Sequence, residues 1–101
     1  MGAALAIGDE DLRDLENIRR QLDELDRQLV AVLARRFEAG NEAARLKRSL
    51  GIPIHDPARE EQVILRAMEW ASSAGLPEEE VADLFRRLIS ISRDAQLGSG
   101  Q

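Results

Sequence analysis

The sequence has no cysteine, no tyrosine and a single histidine, His55. Without cysteine there is no disulfide scaffold and no zinc site built on thiolates. One histidine excludes histidine-rich metal sites and any pairing of two imidazoles. The aromatic residues are Trp70, Phe37 and Phe85, too few for the stacking platforms that hold single-stranded nucleic acid. Long apolar runs are missing too. The longest, Met1–Ile7, is far short of the roughly 20 residues that a membrane-spanning helix needs. It lacks a basic leader and is followed by Asp9, Glu10 and Asp11, so it does not read as a signal peptide. Ala6 stands where a myristoylation signal after Gly2 calls for Ser or Thr. The expected compartment is the cytoplasm, and no membrane partner is expected.

What the chain does contain is charge and strong helix formers. Of its 101 residues 33% are charged, with 14 basic against 19 acidic side chains and a net charge of −5. An acidic balance argues against DNA or RNA as partners. A chain of this length builds one domain with one modest core, so a deep pocket private to one copy is hard to form.

Hydrophobic spacing predicts three helices and no strands. From about Asp9 to Leu50 the apolar residues Leu15, Ile18, Leu22, Leu25, Leu29 and Val32 recur at alternating steps of three and four, the seam of a helix that packs on other helices. Gly51 and Pro53 supply a glycine cap and a proline stop. Asp56-Pro57 opens a second helix as N-cap and first-turn proline. Its inward stripe is Val63, Ile64, Ala67, Ala71 and Ala74, with Trp70 beside it, and Gly75 closes it. Pro77 and three glutamates, Glu78, Glu79 and Glu80, open a third helix with charge suited to its dipole. Val81, Leu84, Phe85, Leu88, Ile89 and Ser92 mark its buried face, with fraying around Leu97.

The first helix is long for so small a chain. At 1.5 Å per residue, about 38 residues extend roughly 57 Å, against a radius of gyration near 13 Å for a compact chain of about 100 residues. Its apolar seam overhangs any monomeric core, and a second copy is the simplest cover. The expected assembly is an intertwined homodimer.

Polar residues then fall where apolar ones belong. Arg36 sits on the inward line of the first helix, and Lys47, 11 residues on, returns to within about 20° of it. On the second helix Asp56 and Glu60 share a face, and Glu60 continues the stripe of Val63, Ala67 and Ala71. On the third, Ser92 and Gln96 extend the line of Leu84, Phe85 and Leu88. Alone, each has a structural explanation: snorkelling cations at a bundle rim, N-capping and dipole charge, a fraying helix end. Together they put cations, acids, a hydroxyl and an amide on inward lines near one end of a bundle. Buried polar groups are costly unless paired, so the set points to a pocket for a small polar anion. Arg19 lies 17 residues before Arg36, about 25 Å along the axis. It cannot reach the same pocket within one chain, but its counterpart in an antiparallel partner could; by itself it also reads as a solvent-facing arginine. His55 reads as a loop residue near the pocket mouth, Trp70 as a helix or dimer contact, and Met68 as filler.

These residues resemble a known family, the all-helical chorismate mutases of the bacterial AroQ class. The pattern is Ile18-Arg19-x-x-Leu22-Asp23-x-Leu25-Asp26, Leu33-x-x-Arg36, Lys47, Gly51-x-Pro53-Ile54-x-Asp56-x-x-Arg59-Glu60 and Ile89-x-x-Ser92-x-x-x-Gln96. No single piece is specific; the ordered set is. The resemblance implies an all-α intertwined homodimer with a helical domain over residues 12–97; residues 1–11, which have no counterpart in it, read as a disordered N-terminus, and 98–101 as a flexible tail. It implies a dianionic substrate, chorismate, rearranged to prephenate without cofactor or metal. By the resemblance, Arg36 and the partner copy's Arg19 hold two carboxylates. Lys47 and Gln96 hydrogen-bond the ether oxygen, Glu60 with the backbone near Asp56 holds the ring hydroxyl, and Arg59 and Ser92 support the site. The inventory suits such chemistry: a unimolecular 3,3-rearrangement needs no nucleophile or redox group. It needs a compact conformer held in place and donors where the ether oxygen gains charge. Isochorismate pyruvate lyase and aminodeoxychorismate mutase activities remain open on the same scaffold, as do a non-catalytic helical dimer and an activating partner enzyme.

Overall fold

A computed structural model describes residues 8–99, and among these the chain is entirely helical: α1 (Asp9–Leu50), α2 (Pro57–Ser73) and α3 (Glu78–Ser99). The described residues fall into two compact units divided after Arg36. The first is the N-terminal part of α1. The second holds the rest of α1 with α2 and α3.

The helix ends follow from local chemistry. Acidic residues occupy the first turn of α1 (Asp9, Glu10, Asp11) and of α3 (Glu78, Glu79, Glu80), and Lys47 and Arg48 occupy the last turn of α1, as the helix dipole favours. α1 closes on Gly51, whose φ of 68° is the left-handed cap conformation. There Ile52 N–H donates to the Lys47 carbonyl at 2.8 Å and Gly51 N–H to the Arg48 carbonyl at 3.2 Å. α2 closes the same way on Gly75 (φ 73°), with Leu76 N–H on the Ala71 carbonyl at 2.8 Å and Gly75 N–H on the Ser72 carbonyl at 3.1 Å. Each cap is followed by an apolar residue and a proline, Ile52-Pro53 and Leu76-Pro77, which stops the helix from resuming. At the start of α2, Asp56 caps as expected, its Oδ1 accepting from Arg59 N–H at 3.1 Å.

The core of the second unit is built from small residues. Ala44 on α1, Ala67 and Ala71 on α2 and Ala82 on α3 are the buried apolar side chains. Among the described residues no large side chain is fully buried. Alanines let α2 and α3 approach closely, and Val63, Ile64, Phe85, Leu88 and Ile89 are half-buried around them. The seam residues Leu15, Ile18, Leu22, Leu25, Leu29 and Val32 are each 43–58% exposed within the chain. On the solvent side of α1, Arg27 hydrogen-bonds Glu24 through two nitrogens and lowers the carboxyl pKa of Glu24.

Several details differ from the sequence expectation. Asp9–Asp11 are the first turn of α1, as the helix expected from about Asp9 has it and against the disordered N-terminus expected over 1–11, and α3 continues to Ser99, past the fraying expected around Leu97 and into the tail expected to be flexible over 98–101. Residues 1–7 and 100–101 lie outside the described residues. Ala74 is not on the stripe of α2 but is its exposed C-cap. Leu84 is 65% exposed rather than buried; it lies two residues, about 200°, from Ala82 and so on the opposite side of α3. Of the helix or dimer contact expected for Trp70, the first is not made within the chain, where the side chain is 64% exposed. No described helix is long and apolar enough to cross a membrane.

Candidate active site

Six of the expected site residues lie in the second unit: Lys47, Asp56, Arg59, Glu60, Ser92 and Gln96. Ser92 and Gln96 are one turn apart on α3, and Gln96 Nε2 donates to Ser92 Oγ at 2.9 Å. Among the described residues Ser92 is the one buried polar side chain, 7% exposed, so this bond satisfies a hydroxyl that would otherwise be costly to bury. The pair lies against Gly40 of α1. A Cβ on Gly40 would come within 2.8 Å of Gln96 Nε2 and 3.1 Å of Ser92 Oγ, so the absence of a side chain there makes room for the amide. The last turn of α1 reaches the same end of α3, Arg48 Nη1 donating to the Gln96 carbonyl at 3.4 Å.

Lys47 is half-buried, and its ammonium donates to the Ile54 carbonyl at 3.4 Å. The glycine cap turns the chain so that the following segment passes back over the lysine it has just left. That segment leads into Asp56 and so to Glu60, one turn into α2.

Glu60 is half-buried and faces α3, where Arg93 Nη1 donates to its two carboxylate oxygens at 2.8 and 2.9 Å. His55 Nε2 approaches the same carboxylate at 3.8 Å. Arg59 points elsewhere: it is exposed, and its Nη1 donates to Gln62 Oε1 at 3.4 Å. Sequence reasoning missed Arg93. The signal was present, because Phe85, Ile89 and Arg93 run at steps of four. A cation thus continues an apolar line, as Arg36 does on α1.

The remaining two expected residues belong to the first unit. Arg19 is exposed and pairs with Glu16 at 3.0 Å. Arg36, the last residue of that unit, is half-buried.

Comparison with known proteins matches residues 18–97 to the family model "Chorismate mutase type II". A T-protein of Enterobacter agglomerans is 30% identical over 87 residues, which are 86% of this chain and 23% of that protein. The chorismate mutase of Methanocaldococcus jannaschii is 29% identical over 85 residues, 84% of this chain and 86% of that protein. The 4-amino-4-deoxychorismate mutase of Streptomyces venezuelae is 34% identical over 77 residues, 76% of this chain and 75% of that protein. The chain thus spans about a quarter of the T-protein it matches (23%) but most of the length of the other two.

Proposed function

The chain belongs to the chorismate mutase type II family, and on that premise we propose that it converts chorismate to prephenate in a site shared between two copies of itself. What carries the reading is that the family match, residues 18–97, takes in every expected site position from Arg19 to Gln96. The cluster in the second unit supplies groups of the type the reaction calls for.

The rearrangement breaks the ether carbon–oxygen bond as a carbon–carbon bond forms between the two ends of the same molecule. No group is transferred, so the protein's contribution is conformational and electrostatic. Arg36 and the partner copy's Arg19 hold the two carboxylates and with them the folded conformer. Lys47 and Gln96 donate to the ether oxygen as it gains negative charge. Donation to Ser92 holds the Gln96 side chain at this end of α3. Glu60 accepts from the ring hydroxyl, which the backbone near Asp56 helps to hold. Ser92 supports these groups; Arg59, bonded to Gln62 in this structure, joins them only on leaving that bond.

The homodimer is part of the same proposal. The exposed seam of α1 and a core whose buried apolar side chains are all alanine support it, because soluble chains seldom leave so continuous an apolar face uncovered.

The test is product identification after separate incubation of the purified protein with chorismate, isochorismate and 4-amino-4-deoxychorismate. Prephenate formed from chorismate is the expected result. Release of pyruvate from isochorismate with no prephenate from chorismate would replace the reading with a lyase.

A further inference from the structure

The bridge between Glu60 and Arg93 bears on which ring substituent the site accepts. We propose that Arg93 is a positioning residue that sets the Glu60 subsite for a neutral ring hydroxyl and against a ring ammonium. The inference rests on the reading of Glu60 as acceptor for that substituent.

Arg93 Nη1 donates to both oxygens of Glu60, at 2.8 and 2.9 Å, and both side chains are half-buried between α2 and α3. The packing of two helices holds the bridge. The charged and titratable groups around Glu60 are Arg93 on α3, His55 in the loop before α2 at 3.8 Å, and Asp56 and Arg59 within the preceding turn. Lys47 of α1 is bonded to the Ile54 carbonyl, at the base of the same loop.

A carboxylate standing alone would bind an ammonium more strongly than a hydroxyl, because only the ammonium gains a Coulombic attraction. Glu60 does not stand alone. One guanidinium nitrogen uses one lone pair on each of its oxygens, and each oxygen keeps another for an incoming donor. A hydroxyl can donate there without penalty. An ammonium in the same place would sit about 5 Å from the Arg93 guanidinium, given ordinary hydrogen-bond lengths, and meet a like charge. The subsite therefore accepts the hydroxyl and discriminates against the amine by repulsion.

The test compares kcat/KM for chorismate and for 4-amino-4-deoxychorismate in the wild-type chain, Arg93→Gln and Arg93→Lys, at pH 7.5 and 9.5. At pH 7.5 the wild type favours chorismate. Arg93→Gln shifts the ratio toward the amine by about tenfold or more, and Arg93→Lys, which keeps the charge, holds it within about threefold. Primary amines lose their proton over roughly pH 8–10, so the wild-type ratio narrows at pH 9.5, with chorismate as internal reference for any general effect of pH. A ratio unchanged by Arg93→Gln while chorismate is still turned over overturns the inference and leaves the proposed function standing. A wild type that prefers the amine at pH 7.5 also overturns it. The pH comparison uses no variant, so it decides even where Arg93→Gln fails to fold: a wild-type ratio that does not narrow counts against the inference. Wild-type protein that converts neither substrate overturns the proposed function, and this inference with it.

Discussion

Lys47 is anchored at both of its ends. Its carbonyl accepts from Ile52 N–H at 2.8 Å within the glycine cap, and its ammonium donates to Ile54 at 3.4 Å. The first bond belongs to the backbone and survives truncation of the side chain. Lys47→Ala should therefore lower kcat for chorismate by about 100-fold or more, the cost of losing one donor to a developing oxyanion in other enzymes. Helix content and thermal midpoint should stay close to wild type. Stopped assays of prephenate formation beside a melting curve separate the two effects, and near-normal turnover would remove Lys47 from its assigned role. Among single residues, the sequence showed best what depends on near neighbours. Asp56 as N-cap and Gly51 and Gly75 as closing residues are local events, read from two or three adjacent letters. The inward place of Arg93 is written in its spacing from Phe85 and Ile89, but its pairing with Glu60, 33 positions away, is not, because only the crossing of α2 and α3 brings the two together.

At the scale of the helix, spacing located all three elements, because 3.6-residue periodicity and capping are properties of a segment. Periodicity does not give the side each helix turns to its neighbours: Leu84 and Ser92 share one spacing, yet within the chain Leu84 is exposed and Ser92 buried. Gly40 is the most instructive case. In the sequence it is an interior glycine of a long helix, which ordinarily costs about 1 kcal/mol relative to alanine. In the structure, the missing methyl is where the Gln96 amide lies. The atoms in the way are the ends of the Gln96 and Ser92 side chains rather than backbone, so the helix can absorb an added methyl but the amide cannot stay where it is. Gly40→Ala should leave the thermal midpoint unchanged or raise it, while kcat/KM for chorismate falls about tenfold through the displaced donor. A variant that loses stability and activity together would mean that Gly40 serves packing alone.

For the molecule as a whole, the central question is where Arg19 acts. In the proposed dimer it completes the partner's site, and a mixing experiment decides this. Arg19→Ala and Lys47→Ala should each be nearly inactive alone. When the two are unfolded and refolded together in equal amounts, half of the dimers are mixed, and one of the two sites in each mixed dimer carries no lesion. Activity should recover to about a quarter of wild type. If Arg19 served its own chain, every site in a mixed dimer would carry a lesion and nothing would recover. The expectation of a second copy came from the length of α1 and its seam. The small size of the buried side chains, a fact of packing that no sequence window states, supports it independently.

Those buried alanines set the terms on which this chain can change over evolutionary time. Ala67, Ala71 and Ala82 are at most 2% exposed, and an alanine in such a place has almost nowhere to go. A larger residue wedges α2 from α3 and pulls Glu60 off Arg93, while glycine loosens both helices. The outward surfaces of the same helices carry no such restriction. Drift should therefore run freely over the charged faces and halt at three of the plainest letters in the sequence, none of which touches a substrate.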